Sequence, residues 1–206
     1  MSRHEPPARL PAPAGEGGAR HDGPGSASTA VGVRFVEPDP GARRRYTVVD
    51  SPIGELLLVG DGQALTGIEF DLDGSRRAGD DRVADRAALA DAAEQLHAYL
   101  AGELTVFDLP VAIGGSDFQQ RVWRLLAEIP YGDTTSYGAL AARLGRPGAS
   151  RAVGLANGRN PVPIVLPCHR VVGASGALTG YGGGIDRKRW LLDLEQRRAR
   201  LPWPSA

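Results

Sequence analysis

The chain contains a single cysteine, Cys168, and a histidine follows it directly. A thiol attacks as its thiolate, which a nearby imidazole and a cation such as Arg170 can favour. Residues 164–166 are apolar and lie between prolines, which limit ladder hydrogen bonds, so we expect a buried extended segment that ends at the cysteine. The alternative is that Cys168 is only a small buried hydrophobic residue. The rest of the chain has to decide between these two interpretations.

The net charge is zero overall, but it is distributed unevenly along the chain. Residues 45–112 carry 13 acidic and 5 basic side chains, whereas residues 113–206 carry 6 acidic and 13 basic ones. The positive second half fits a phosphate-binding surface, and a solvated basic face is the alternative. A chain of 206 residues, of which 42% are hydrophobic, can bury one good core or two small ones, and the charge distribution favours two.

One cysteine excludes an intramolecular disulfide and a multi-cysteine zinc site within this sequence. No apolar run approaches the length of a signal core or a membrane span. We therefore expect a monomeric cytoplasmic protein in a reducing compartment, with no metal, no cofactor and no membrane partner.

The first half of the chain predicts a small α/β domain over residues 44–112. Residues 1–43 are rich in Pro, Gly, Ala, Ser and Arg without periodicity, which predicts a disordered tail, and residues 201–206 form a second tail. Three apolar runs separated by Gly, Asp and Pro indicate antiparallel strands. Helical spacing before Gly102 predicts a helix that covers the sheet, with an apolar stripe of Leu89, Ala93, Leu96, Tyr99 and Leu100.

The second half, residues 113–200, predicts a mostly helical domain. Ser116 and Gln119 have the spacing of a capping box at the start of a helix. Thr135 or Ser136 can cap a short helix that ends before Gly145. The overall fold class is therefore α+β, with a sheet in the first domain and helices in the second.

A further short helix that ends at Gly158 gives this region the spacing of a helix-turn-helix, which ordinary helix packing also produces. Arg146, Arg151 and Arg159 surround that helix and favour DNA binding. Residues 173–184 predict a hairpin with a glycine-rich loop, and residues 185–198 predict a last helix.

Several short motifs lie on both sides of the cysteine in the sequence. They are Tyr-Gly-Asp-Thr-Thr-Ser-Tyr-Gly at 131–138, Ser-Arg-Ala-Val-Gly at 150–154, Asn-Pro-Val-Pro at 160–163, Pro-Cys-His-Arg-Val-Val at 167–172, Gly-Tyr-Gly-Gly-Gly at 180–184, Trp-Leu-Leu at 190–192 and Glu195. Together they resemble the active-site region of the 6-O-alkylguanine-DNA alkyltransferases, the methylated-DNA-protein-cysteine methyltransferases. The resemblance covers about residues 112–196, and upstream of them the chain shares only the layout of that family.

The resemblance implies a catalytic set made of Cys168, His169, Glu195, Asn160 and Tyr137. Cys168 takes an alkyl group from guanine O6 irreversibly, in a single turnover, and without a cofactor. His169 takes the thiol proton through a water while Glu195 holds its tautomer, although Glu195 could also be a solvated helix acid. Asn160 braces the turn. Tyr137 donates a phenolic proton toward the purine, and its alternative role is helix packing.

The resemblance also implies contacts to alkylated double-stranded DNA through its minor groove. Arg151 is inserted into the duplex when the damaged base is flipped out, and a phosphate contact is its alternative. Further DNA contacts fall on Ala149, Ser150, Arg170 and Tyr137. The implied folds are a ribonuclease-H-like first domain and a winged helix-turn-helix second domain, and 4-O-alkylthymine is an additional implied substrate.

The implied pocket uses mainly backbone groups, which need no ordering of side chains. The carbonyls of Cys168 and Val171 accept from the exocyclic amine of the base, and the amide of Gly182 donates to its oxygen. The family often has serine in place of Gly182, and an amide donor survives that change. Pro163 and Tyr181 form the walls.

Three functional hypotheses follow from the sequence. A direct-reversal DNA alkyltransferase is favoured by the joint spacing of the motifs. A non-catalytic damage-binding relative, or a winged-helix regulator, would replace the cysteine, so Cys168 argues against it. A cysteine hydrolase needs a turnover route and usually a histidine that folding brings near the thiol; the proline-rich approach and the basic helix pair do not suit it.

Overall fold

The computed structural model describes residues 32–70 and 81–199. A six-stranded sheet occupies the first part of the chain, in the order β1-β6-β4-β3-β2-β5. Its strands are β1 (Arg34–Val36), β2 (Arg44–Val49), β3 (Leu56–Gly60), β4 (Leu65–Phe70), β5 (Arg82–Ala84) and β6 (Pro110–Ala112).

The sheet is mixed rather than antiparallel, which corrects the sequence prediction. Strands β2, β3 and β4 pair antiparallel as predicted. The short strands differ, because β5 pairs parallel with β2, and β6 pairs parallel with both β1 and β4. Strand β1 lies within residues 1–43, where a disordered tail was expected. The strand has no local signal, because it forms by pairing with β6, a segment more than seventy residues away. Residues 1–31 of that tail, and the tail at 201–206, lie outside the described residues.

The two faces of the sheet have different neighbours. On one face, Leu56 and Leu58 of β3 belong to a core cluster with Leu96 and Tyr99 of helix α1 (Ala90–Leu100). Full burial of each such side chain stabilises the fold by about 1.5–3 kcal/mol. Strand alternation places Val59 on the opposite face, where it lines a cavity shared with the second half of the chain. The sheet is thus a wall of that cavity.

The described part of the second half contains helices α2 (Asp117–Ala127), α3 (Tyr137–Arg143), α4 (Ser150–Gly158) and α5 (Ile185–Ala199). The predicted capping box of α2 is confirmed, because Ser116 and Gln119 exchange side-chain to backbone hydrogen bonds. The predicted cap of α3 is Ser136, whose hydroxyl accepts from the amide of Ala139 at 3.1 Å. The indole of Trp123 donates to the carbonyl of Ala156 at 2.8 Å and ties α2 to α4.

The predicted hairpin at 173–184 is wrong. Those residues are described and contain no strand; instead, the amide of Gly173 donates to the carbonyl of Ala177 at 2.9 Å in a local turn. The strand nearest to this segment is β8 (Val171–Val172), which ends just before it. Strand β8 pairs parallel with β7 (Thr135–Ser136), which directly precedes α3 in the sequence. No helix in the described ranges is both long and apolar enough to cross a bilayer.

Candidate active site

The segment before the cysteine is a tight buried turn, which corrects the predicted extended strand. Pro163 and Leu166 are bridged across it, and Ile164 at its centre has a φ of 77°, a conformation that β-branched residues rarely adopt. Asn160 holds both ends of the turn. Its side chain accepts from the amide of Val162 at 3.0 Å and donates to the carbonyl of Leu166 at 2.7 Å. The turn forms because this side-chain amide supplies the partners that a strand would take from a sheet.

Cys168 is the first residue of a single helical turn, Cys168–Arg170, and is only 5% exposed. Burial raises the pKa of its thiol to about 11, although a hydrogen bond from Asn160 and the charge of Lys188 act in the opposite direction. The sulfur is therefore a protonated thiol at neutral pH. A base has to remove this proton before the sulfur can attack.

His169 has the properties of such a base. Its Nε2 lies 2.8 Å from Oε1 of Glu195, so the ring donates Nε2–H to the carboxylate and keeps its lone pair on Nδ1. Nδ1 is buried and has no hydrogen-bond partner among the described residues. Burial lowers the pKa of His169, and the opposing effect of Glu195 does not cancel the shift. The ring is therefore neutral and can accept a proton.

Glu195, on α5, is fully buried and accepts from four different groups. Besides His169, these are the guanidinium of Arg170 at 3.0–3.1 Å, the amide of Gly132 at 3.0 Å, and the hydroxyl of Tyr99. Burial alone would raise the pKa of Glu195, but hydrogen bonds from His169 and Arg170, together with the charge of Arg170 and that of His169 once acid protonates it, lower it to about 2. A buried carboxylate is tolerated when its lone pairs are satisfied in this way.

Two of these partners were missed by sequence reasoning. Tyr99 belongs to the sheet domain and was expected only in the apolar stripe of α1, yet its hydroxyl also lies 3.3 Å from Nε2 of His169. A buried tyrosine hydroxyl usually needs a partner, and this was the available signal. The amide of Gly132 carried no signal of its own.

Arg170 is not placed to contact DNA, which corrects the sequence prediction. Its side chain is buried, its Nη1 donates to the carbonyl of Ile129, and its remaining donors face Glu195. The ion pair with Glu195 also neutralises its charge. The cation that lowers the pKa of Cys168 is instead Lys188, so Arg170 does not have the predicted role in thiolate formation.

A cavity of roughly 380 Å³ opens in front of Cys168. Asn160, Pro163, Tyr181 and Gly182, all predicted site residues, line it together with the sulfur-bearing residue. The sheet domain supplies the opposite wall, which the sequence did not predict; it consists of Arg44, Val59, Thr66, Gly67, Ile68, Glu69 and Phe70. The cavity is therefore built by both halves of the chain.

The glycine-rich loop is fixed to the sheet domain at the mouth of this cavity. The ring of Tyr181 packs edge-on against that of Phe70, with centroids 5.6 Å apart. A Cβ at Gly183 would lie 2.7 Å from the same phenylalanine ring, so this close approach requires glycine. The hydroxyl of Tyr181 is buried and has no partner among the described residues. It is available to a ligand.

Val171 is the predicted pocket residue that does not line the cavity. It is fully buried, and its carbonyl accepts from Nζ of Lys188 at 2.6 Å. Its amide donates to the carbonyl of Cys168 and completes the helical turn at the cysteine. A contact between the Val171 carbonyl and a base would therefore have to share this oxygen with Lys188.

Tyr137 begins α3 and faces α4. A Cβ at Gly154 would lie 3.8 Å from its ring, and its hydroxyl accepts from that of Thr179 at 3.1 Å. The ring of Tyr137 thus packs against α4, while its hydroxyl contacts Thr179 just before the glycine-rich loop.

The outer face of α4 carries the remaining predicted DNA contacts. Arg151 is exposed and forms no hydrogen bond or ion pair with another described residue, whereas Ser150 and Ala149 are half-buried at the start of the helix. Leu155, one turn after Arg151, is 66% exposed. The helix therefore presents both a free cation and an apolar side chain to the solvent.

Two family descriptions match almost the whole described chain. Residues 44–113 match "6-O-methylguanine DNA methyltransferase, ribonuclease-like domain", and residues 117–197 match "6-O-methylguanine DNA methyltransferase, DNA binding domain". The two matches meet where strand β6 ends and α2 begins.

Relatives of known name agree with these matches. The methylated-DNA–protein-cysteine methyltransferase of Mycobacterium tuberculosis is 55% identical over 154 residues, which are 75% of this chain and 93% of the relative. The methyltransferase of the same name from Methanosarcina acetivorans is 49% identical, over 73% of this chain and 97% of the relative. The crystal structure of M. tuberculosis OGT in complex with DNA is 56% identical, with a TM-score of 0.70 over 75% of this chain and 94% of that one.

Proposed function

Because the chain belongs to the methylated-DNA–protein-cysteine methyltransferases, a family of DNA repair enzymes, we propose that it moves an alkyl group from guanine O6 in duplex DNA to its own Cys168. The observation that carries this proposal is a cysteine at a base-sized cavity, next to a neutral histidine that a buried carboxylate holds in one tautomer. An S–C bond forms and the C–O bond breaks. The product is a thioether, so each molecule reacts once.

Proton removal precedes this attack, because the thiol is protonated at rest. The proton leaves Sγ of Cys168 through a water and reaches Nδ1 of His169. The resulting imidazolium donates its Nε2–H to Glu195, whose ionised carboxylate stabilises the new charge. This carboxylate does not have to reorganise during the step, because its other donors already hold it in place.

The electron pair of the broken C–O bond stays on the guanine oxygen, so the base leaves as an anion. Tyr137 donates its phenolic proton toward the purine and stabilises this anion. The amide of Gly182 donates to the oxygen, and the carbonyls of Cys168 and Val171 accept from the exocyclic amine. Pro163 and Tyr181 hold the ring between them. A cavity of roughly 380 Å³ also has room for a smaller pyrimidine, so 4-O-alkylthymine is a second proposed substrate.

A base inside a duplex cannot enter this cavity, so the nucleotide has to rotate out of the stack. Arg151 fills the gap, because its exposed guanidinium has no partner to give up among the described residues. Ala149 and Ser150 follow the DNA backbone, and α4 enters the minor groove as the second helix of a winged helix-turn-helix. The sheet domain, ribonuclease-H-like in this proposal, closes the cavity from the other side.

The protein acts as a monomer in the cytoplasm. The described groups of the site can be assembled from one copy of the chain, so the proposed reaction does not require a second copy. A nucleophilic thiol has to stay reduced before it reacts, and this supports a reducing compartment.

The test is a reaction with excess duplex that carries labelled 6-O-methylguanine. Product formation should reach a plateau at one alkyl group per folded protein molecule, and peptide mapping should place the label on Cys168. Continued product formation well beyond one equivalent, with Cys168 unmodified, would replace this proposal with a hydrolytic mechanism.

Cys168→Ala is the matched control for this experiment. It removes the acceptor and leaves the cavity walls and α4 in place, so transfer should vanish while binding to the same duplex persists. Binding should weaken steeply with added salt, because phosphate contacts release counterions. If the variant lost binding and transfer together, acceptor and DNA interface would not be separate parts of the molecule.

A further inference from the structure

Lys188 is the one lysine in the sequence, and it is fully buried on α5. Its Nζ donates to the carbonyl of Val171 at 2.6 Å and to that of Thr179 at 2.9 Å. None of the ion pairs between described residues includes it. A buried ammonium without a counter-ion is strongly unfavourable, so its presence requires a physical explanation.

Glu195 lies seven positions after Lys188 on α5, but it forms its ion pairs with other residues. Glu195 is already shared by Arg170 and His169, and its charge is balanced there. Burial lowers the pKa of Lys188, and the charge of Cys168 is what opposes this shift. The same interaction, seen from the sulfur, lowers the pKa of Cys168. The two groups therefore favour each other's charged forms, and the charge of Lys188 also contributes to the lowered pKa of His169.

Hydrogen bonds to the backbone of Val171 link Lys188 to the cysteine. The amide of Val171 donates to the carbonyl of Cys168, and the carbonyl of the same residue accepts from Lys188. The second acceptor, Thr179, lies at the start of the glycine-rich loop that borders the cavity. Both partners of Nζ are acceptors, which suits an ammonium with three donors. The lysine thus holds both ends of residues 171–179, and its charge lowers the pKa of the Cys168 thiol.

We propose that Lys188 is a positioning residue that serves as the buried counter-ion of the Cys168 thiolate. This inference deepens the proposed function, because it names the group that stabilises the nucleophile once His169 has taken the proton. The negative charge appears on Sγ when the proton leaves, and it departs with the guanine oxygen when the S–C bond forms. In a buried site, the attraction between two such charges is much stronger than in water.

A single lysine makes the first test possible in the unaltered chain. Lysine labelled with ¹³C and ¹⁵N gives one side-chain NMR signal, whose shift follows the charge of Lys188 as pH is raised. At neutral pH this signal should be that of the charged ammonium, because only the charged form of Lys188 can act as a counter-ion for a thiolate. The signal of a neutral amine at neutral pH would overturn the proposal.

The second test reads the same coupling from the sulfur. The rate of Cys168 alkylation by iodoacetamide and by a free alkylguanine base is followed against pH. Lys188→Met should move the rising limb of both profiles to higher pH by about one unit, with about a tenfold loss of rate at neutral pH. Lys188→Arg should restore part of that loss, because it restores the charge.

Arg189→Met is the matched control, because it removes an exposed positive charge from the next position of α5. Its profiles should coincide with those of the wild type. A Lys188→Met profile that is lowered at every pH without a shift would mean that the lysine is only structural. The iodoacetamide profile does not depend on transfer from DNA, so failure of the proposed function and failure of this inference are distinguishable.

Discussion

The charged side chains in two regions of the molecule differ in whether they have bonding partners. In the buried acid–base network, which consists of Tyr99, His169, Arg170 and Glu195, the carboxylate is surrounded by donors. On the outer face of α4, Arg151 has no partner among the described residues. The groups proposed to move a proton are therefore held in place by hydrogen bonds, whereas Arg151, which is proposed to contact DNA, is not. Substitutions in the first region should therefore affect stability and the reaction at Cys168, whereas those in the second should affect only DNA-dependent activity.

Glu195→Gln should produce the largest effect on stability. It leaves Arg170 buried without its partner anion, so the free energy of unfolding should fall by about 3–5 kcal/mol. Urea denaturation measures this value. Glu128→Gln is the control, because its ion pair with Arg143 is half exposed and should contribute less than about 1 kcal/mol. Equal losses in the two variants would contradict the contrast between buried and exposed charges.

Acid should destabilise the same network. The pKa of Glu195 is lowered from 4.5 to about 2, so its contribution is complete above pH 4.5 and is lost as pH falls toward 2, which amounts to about 3 kcal/mol. The lowered pKa of His169 acts in the same direction, and its contribution is lost as pH falls below 6.5. Denaturation at a series of pH values tests this. Glu195→Gln should lack the loss between pH 4.5 and 2, and a parallel decline in both proteins would contradict the assignment.

Arg151→Ala should reduce transfer from duplex DNA while leaving stability nearly unchanged, in contrast to Glu195→Gln. Transfer from duplex DNA should fall about 10- to 100-fold, because extrusion of a base requires a few kcal/mol. Stability should stay within about 0.5 kcal/mol, as is usual for exposed positions. Reaction with a free alkylguanine base, which needs no extrusion, should be nearly unchanged. An equal loss with both substrates would show that Arg151 does not act on the duplex.

Tyr99→Phe should have the smallest effect, because it removes one of several donors to Glu195. A loss of about 1.5 kcal/mol is expected for a hydrogen bond to a charged acceptor, together with a few-fold slower alkylation of Cys168. Tyr131→Phe is the matched control. Its ring packs edge-on against that of Tyr99, but its hydroxyl is buried without a partner among the described residues. The control should be neutral or stabilising.

Local sequence signals predicted the elements well where short-range chemistry decides them. The capping box of Ser116 and Gln119 and the cap at Ser136 are confirmed. The family resemblance brought Cys168, His169 and Glu195 together, and the structure places the last two in hydrogen-bond contact. The parallel strands at the sheet edges were missed, because each has three residues and pairs with a distant segment.

The electrostatic roles could not be predicted, because they depend on tertiary contacts. Arg170 stands next to the histidine in the sequence, yet its function is fixed by Glu195, 25 positions later. Tyr99 reaches the same carboxylate across 96 positions. A lone buried lysine gives no pattern at all in a sequence. In each case the neighbour that sets the charge state lies on another element.

The burial of Lys188 also makes the chain its own reporter of unfolding. A protease specific for lysine has one recognition site in these 206 residues, the bond that follows Lys188. That bond lies within α5 and the lysine side chain is inaccessible in the native state, so cleavage requires the helix to open. When opening and closing are faster than cleavage, the rate at which two fragments appear therefore follows the population of opened molecules, without a dye or an engineered label.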